Sequence, residues 1–382
     1  MLLESLVRFF TSLKLTVVCL ALAMVLVFIG TLAQVKHGLY QVQSNYFQSF
    51  FVLWGPEGAD WKIPVFPGGY LIGGVLVINL IVAYVQKFSL SRDKIGTMLT
   101  HGGLILLLLG QLGTDLLSRE GNMHLREGQT KNYSESDRLF ELAVVDVTDP
   151  KADTVVAIPD SVLARDQIIR QPELPFAIQV KRFMPNSALN RRQEKGFEPS
   201  PATQEIGKGI FMMELPKVTR MDSRDIPTAI LELENQDGSA GTWLVSGFIE
   251  QPQRVTINDR TFELTLRLRR YYKPFSLHLL EFRHDVYPGT EIPKNFSSRV
   301  RVENPGTGET REVLIRMNEP LRYGGLTFYQ SSFDPDNLGS ILQVVRNPGW
   351  LTPYFSCLLV GLGLTVQFLS HLIPFAKRKL KS

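Results

Sequence analysis

The sequence predicts a membrane α + β protein: four transmembrane helices, with a large extracytoplasmic antiparallel β-rich domain, a sandwich or an open barrel, between helices 3 and 4. Three observations carry that prediction. Four runs are apolar at or near spanning length. A long stretch before the last run alternates apolar and polar residues with a period of two. Basic residues gather in short segments that fall on one side of four spans.

The spans are expected near 15–35, 70–85, 98–117 and 351–373. The whole-chain hydrophobic content of 44% hides them in an average. The second run is short, and reaches full length only with Gly68 and Gly69. The first is longer than the apolar region of a signal peptide and no small-residue cleavage site follows it, so it is read as a retained anchor. This divides the chain into a membrane domain over 1–117, an extracytoplasmic domain over 118–350, a fourth helix over 351–373 and a basic tail over 374–382.

Charge gives the orientation. Arg8 and Lys14, then Lys87, Arg92 and Lys94, then Lys377, Arg378, Lys379 and Lys381 all lie on one side of four spans. Short basic loops stay cytoplasmic, so both termini are expected inside the cytoplasmic membrane. These segments hold nine basic and two acidic residues, +7 against +4 for the whole chain, which leaves −3 elsewhere. Nucleic acid is therefore a poor partner. Cys19 and Cys357 both fall in predicted spans, so the exported part has neither a disulfide nor a CxxC motif.

Between spans 1 and 2, residues 36–69 read as an interfacial loop. Over 38–54, Tyr40, Phe47, Phe50, Phe51 and Trp54 fall on one helical face, which predicts a helix lying in the membrane interface. From 139 onward the pattern is that of strands. In 261–272, Phe262, Leu264, Leu266 and Leu268 alternate with Glu263, Thr265, Arg267 and Arg269. Strands are also expected near 139–147, 153–159, 176–183, 228–235, 241–248, 253–258, 275–287, 296–304, 310–317, 326–334 and 340–348, divided by turn signals such as NQDG at 235–238. The Pro-rich stretch 184–227 reads as a long, mobile excursion.

No Walker loop, GxGxxG, HExxH, GxSxG or EF-hand pattern occurs, and no two histidines form an HxH or HxxxH pair. His278 and His284 share a strand about 20 Å apart, too far for one metal. The membrane region says more. His101 lies seven residues after Lys94 in the third span, and Asn79 eight before Lys87 in the second, so both fall about 10 Å inside the inner interface and can face one another. Two readings of His101 are open: a helix-contact residue, or a ligand or proton-handling group. Gly102 and Gly103 leave room beside it for a close helix or a flat ligand. His371, just before Pro374, reads as a snorkelling residue at the inner rim, and is kept as a secondary candidate.

Three blocks then resemble one family in family order: FFTSLKLTVVCLALAMVLVFIGTLAQV (9–35), FRHDVYPGTEIPKNFSSRVRV (282–302) and NEPLRYGGLTFYQSSFDPDNLGSILQVVRNPG (318–349). They are similar to the ResB/CcsB family of System II cytochrome c maturation. The resemblance implies a subunit of a cytochrome c synthetase complex that exports haem and assists its attachment to apocytochrome c. It implies haem b as a transient group shared with a tryptophan-rich CcsA/ResC-type membrane partner. It maps the family's intramembrane haem-iron ligand onto His101, with Asn79 as the group that fixes its tautomer. Trp54, Trp61, Trp243 and Trp350 form no WGxxW cluster, so the partner's motif is not in this chain. The other reading is a membrane-anchored scaffold or apocytochrome chaperone that binds no haem. Tyr323, Phe328, Tyr329 and Phe333, in a Gly-interrupted aromatic stretch, are the candidate partner-docking residues.

Overall fold

The computed structural model describes residues 2–56, 61–87, 94–150, 152–165, 168–220, 223–235, 238–290 and 293–379. Arg92, Lys381 and the centre of the NQDG turn, used in the sequence reading, lie outside the described residues. The chain separates into two compact units; of the described residues, 2–119, 219–220 and 347–379 fall in one and 120–218 and 223–346 in the other.

The first unit is helical. A short amphipathic helix α1 (Leu2–Phe10) precedes α2 (Leu13–His37), and a single turn α3 (Leu39–Val42) follows. Then come α4 (Gly69–Lys87) and α5 (Ile95–Leu117). Among the described residues four helices are long and apolar enough to cross a membrane: α2, α4, α5 and the final one, Thr352–Lys379. The last continues past Pro374 as one helix. The four expected spans are thus present as helices, each longer than its sequence estimate.

The interfacial helix is not formed as expected. After α3 the chain makes a π-helical turn over Gln43–Phe47 and then a hairpin, β1 (Phe51–Trp54) paired with β2 (Ile63–Pro67). The cause is local packing. The Phe47 ring sits where a Cβ on Gly30 of α2 would stand, 2.8 Å away, which pulls the turn onto α2. Ser49 Oγ donates to the Asn45 carbonyl at 2.7 Å and closes the helical stretch.

The second unit is β-rich. Its strands begin with β3 (Arg119–Arg126), β4 (Thr130–Asp146) and β5 (Thr154–Pro159), followed by a helical turn α6 (Asp160–Leu163). Next come β6 (Ile168–Ile169), β7 (Ala177–Met184), β8 (Ser187–Asn190), β9 (Glu198–Pro199) and β10 (Phe211–Glu214). Then follow β11 (Thr228–Asn235), β12 (Gly238–Ser246), β13 (Gln253–Ile257) and β14 (Arg260–Val286). The series ends with β15 (Pro293–Asn304), β16 (Glu309–Arg316), β17 (Leu321–Tyr323), β18 (Leu326–Phe333) and β19 (Gly339–Arg346).

Two expected strands, 261–272 and 275–287, are one. β14 runs 27 residues and crosses two separate cores. Its first half, with β4, β5 and β13, packs against the four-stranded sheet β12-β11-β7-β6 around Phe262, Leu264, Leu231 and Trp243. Its second half joins β15 and β16, and β4 leads on to β3, β19, β18 and β17, so the ten-stranded sheet wraps into a nearly closed barrel. Leu277, Leu279, Val300, Phe328 and Leu342 fill that barrel. At 324–325 a Gly-Gly pair turns with φ of 57° and 74°, as a two-residue hairpin requires.

The 184–227 stretch is more ordered than expected. β8, β10 and β9 form a small sheet over Met184, Ile210, Met212, Ile230 and Leu244. Pro199 lies in the edge strand β9, opposite Phe211, and Pro185, Pro201 and Pro216 lie outside the strands, so β10 is not broken.

Candidate functional site

The site search centres on α5. Gly96, Gly103 and Gly110 recur every seven residues and turn one face of α5 toward α7 (Thr352–Lys379). A Cβ on Gly103 would stand 2.8 Å from Val360 Cγ2 and 3.0 Å from the Ser356 carbonyl; one on Gly96 would stand 2.9 Å from the Gly363 carbonyl. Small residues let these backbones meet, which is how helices associate where lipid removes the hydrophobic drive. Gly103 therefore admits a close helix. Gly102 lies elsewhere on α5, with Tyr84 Oη of α4 3.4 Å from its would-be Cβ.

His101 is five residues from Gly96, about 140° around the helix. It shares a face with Leu104 and Leu108, at i+3 and i+7, both of which remain well exposed. Its Nδ1 lies 2.9 Å from the Thr97 carbonyl. A carbonyl only accepts, so Nδ1 donates this hydrogen bond. Among the described residues Nε2 has no hydrogen-bond partner. The side chain is half-buried.

Asn79 is not the group that sets this tautomer. It is buried, its Nδ2 donates to the Phe10 carbonyl at 2.5 Å and to the Ser12 carbonyl at 3.3 Å, and its Oδ1 accepts from Thr16 Oγ1 at 2.6 Å. The sequence reading faced Asn79 toward His101; in the structure it turns instead to the end of α1 and the start of α2. The α1–α2 turn has carbonyls freed at a helix end, and these draw the amide away from α5.

His371 differs from His101. Gln367 Oε1 accepts from Thr97 Oγ1 at 3.2 Å, which aims the Gln367 amide nitrogen at His371 Nε2, 2.9 Å away. The His371 lone pair on that nitrogen is thus taken. Thr97 stands four residues before His101, an offset at which helical side chains and carbonyls meet, so its part was legible in the sequence. Nothing in the sequence pointed to Tyr84 or Gln367.

The four docking aromatics separate. Phe328 is fully buried in the barrel core. Tyr323 donates to Glu309 Oε2 at 2.8 Å and packs edge-on against Phe275; Phe333 stacks on Phe282 and on the His284 ring. Of the four, Tyr329 is the exposed one, at 38%. The alternation that made this stretch a strand also puts half of its rings inside.

Of the other histidines, His37 ends α2 and three belong to the β-rich unit. His124 Nε2 bonds Asp334 Oδ2 at 2.8 Å, His278 Nδ1 bonds Thr130 Oγ1 at 2.8 Å and His284 Nδ1 bonds Asn337 Oδ1 at 2.9 Å. Among the described residues no three His, Cys, Asp or Glu side chains gather as a metal site.

Residues 241–341 match the ResB-like family. That ResB-like segment contains the long strand β14 and the barrel hairpins that follow it. The chain is also 27% identical over 293 residues, 76% of its length, to Protein NrfI of Wolinella succinogenes. It spans 29% of that relative's length, so NrfI carries more than two-thirds of its sequence outside the match.

Proposed function

We propose that this chain handles haem as cargo in a membrane assembly that matures cytochrome c, with His101 as an axial ligand to the haem iron. One observation carries the reading. An ionisable side chain in a span costs insertion energy, and here Nδ1 is taken by the Thr97 carbonyl while Nε2 has no hydrogen-bond partner among the described residues. Neutral imidazole is the form that binds iron. The free nitrogen of His101, set against the engaged nitrogen of His371, selects His101. The second iron ligand and the site of attachment to apocytochrome c fall to a tryptophan-rich CcsA/ResC-type partner. The chain lies in the cytoplasmic membrane, with both termini inside and the β-rich unit outside. The ResB-like match supports the cytochrome c part of this reading.

The test is purification of the full chain with such a partner. Wild type is expected to carry a Soret band. His101→Ala is expected to reach the membrane in equal amount and to lose both that band and cytochrome c maturation. His101→Gly with added imidazole should restore the band, because the small ligand fills the space left by the ring. If His101→Ala matures cytochromes normally, His101 is a packing residue and the scaffold reading replaces this one.

A further inference from the structure

The β1–β2 hairpin leaves an unusual set of side chains in the open. Phe50, Phe51, Leu53, Trp54, Trp61, Ile63 and Val65 are all 46–62% exposed, while Val52 turns in toward Leu26 and Ile72, with Phe66 half-buried beside it. Lys62 is the single charge on the described hairpin residues. Between hairpin and α2 lies a cavity of about 220 Å³ lined by Leu26, Ile29, Tyr46, Val52, Trp54 and Phe66, among others. We infer that this slot holds an acyl chain of a phospholipid, and that the hairpin lies in the headgroup layer above it.

Depth argues for lipid. Leu26 and Ile29 precede the end of α2 at His37 by eleven and eight residues, roughly 16 and 12 Å along the helix. In a helix of 25 residues that must cross about 30 Å of hydrocarbon, the slot floor falls among acyl chains. The hairpin cannot go as deep. Two strands have open edges, and unpaired backbone groups are not tolerated in hydrocarbon. Pro64 and Pro67 reduce the number of exposed donors but do not close the edges. The polar level is marked close by. Gln48, three residues before β1, donates to Asp115 Oδ1 at 2.9 Å, and the Tyr70 hydroxyl donates to the same carboxylate. Trp54 and Trp61, on the two sides of the hairpin turn, match the aromatic belt of a membrane interface. The slot lining has no charge, so a carboxylate-bearing ligand finds no counter-group there, whereas an acyl chain needs none.

The inference does not rest on haem binding and is tested without it. The full chain is placed in nanodiscs of phosphatidylcholine brominated at either the 6,7 or the 11,12 acyl positions. Trp54 emission is taken as the difference between wild type and Trp54→Phe, which leaves the buried Trp243 intact. Shallow bromines are expected to quench that component at least twofold more than deep ones. Native mass spectrometry should retain one phospholipid more on wild type than on Leu26→Phe/Ile29→Phe, which fills the slot. Emission unquenched at both depths overturns the proposal. So does equal lipid retention by the two proteins, or loss of the quenching when a second membrane protein co-purifies, since the slot then belongs to a protein partner.

Discussion

The two units solve the problem of a buried polar group in opposite ways. In the helical unit the polar side chains turn to backbone carbonyls of their own or a neighbouring helix: Asn79 to Phe10 and Ser12, His101 to Thr97, Ser356 to Thr352. Packing there runs through glycines. In the β-rich unit two cores of large side chains hold the fold, and charges pair across the outer face, as Arg254 does with Glu263 at 2.9 Å. The difference teaches where function is legible. A histidine among leucines stands out at once, whereas an exception inside an alternating strand is hidden by the alternation. Lys273 is that exception. It sits on the inner side of β14 at the seam between the two cores, buried, donating to Ser134 Oγ at 2.8 Å and to the Tyr271 carbonyl at 2.9 Å.

The comparison is broken most severely by removing core volume from the β-rich unit. Phe262 is fully buried, with the Phe176 ring edge-on at 5.2 Å and the Arg260 guanidinium 5.0 Å above it. Phe262→Ala is expected to cost about 3–5 kcal/mol. Thermal loss of the β-sheet amide signal of the full chain should come many degrees earlier, with the helical signal of the spans unchanged. A simultaneous loss of both would show that the units do not unfold separately.

Lys273 sharpens it next, with the opposite sign. Burial lowers its pKa from 10.5 to about 8. The folded chain therefore binds fewer protons than the unfolded one between pH 8 and pH 10.5, and stability rises with pH across that window. Below pH 8 the penalty is complete, roughly 3 kcal/mol. Lys273→Met removes it but leaves the Ser134 hydroxyl and the Tyr271 carbonyl without their donor, about 1 kcal/mol in the other direction. A net gain of about 2 kcal/mol at pH 7, and loss of the alkaline rise in the β-sheet midpoint, are the expected results. An unchanged pH profile in the variant would mean that Lys273 is charged at no cost.

These two residues also mark how far the sequence could be read. Phe262 was placed in the core from its alternation with Glu263, and most strands from 139 onward were found the same way. The pattern could not place Lys273. A bulge between Leu268 and Arg270 shifts the register of β14 against β4, and the residues beyond it change face. It also missed β3 and the start of β4, where polar residues such as Ser134 and Ser136 point inward. Among the described helices, length and hydropathy gave all four candidate spans. Which way each side chain points depends on crossing geometry, set by Gly96, Gly103 and Gly110 against α7, and no single-helix pattern contains that.

Asn79 is the intermediate case. It makes three hydrogen bonds to the α1–α2 turn, and Asn79→Leu removes them all. Hydrogen bonds between membrane helices are worth about 0.6 kcal/mol on average and up to about 1.7, so a loss of about 1–2 kcal/mol is expected. It should appear as faster amide exchange over residues 10–16 in nanodiscs, with α5 unaffected. Faster exchange around His101 instead would restore the coupling of Asn79 to His101 that the sequence suggested.

The smallest structural effect is expected at the residue with the largest proposed role. His101 contributes no contact to the glycine face that joins α5 to α7. Its one hydrogen bond goes to a carbonyl that already accepts the backbone N–H of the next turn. His101→Leu therefore orphans no buried group, and it replaces a polar ring with a side chain that inserts more cheaply. Its stability in nanodiscs should match wild type within about 0.5 kcal/mol, or exceed it. A residue kept for packing behaves otherwise: its loss leaves a cavity or an unpaired partner, and the spans loosen. A drop of more than about 1 kcal/mol on His101→Leu would thus place His101 with Asn79 among the structural polar groups. A neutral result, measured beside the loss of haem in His101→Ala, separates a side chain that holds the membrane unit together from one that the unit holds in place.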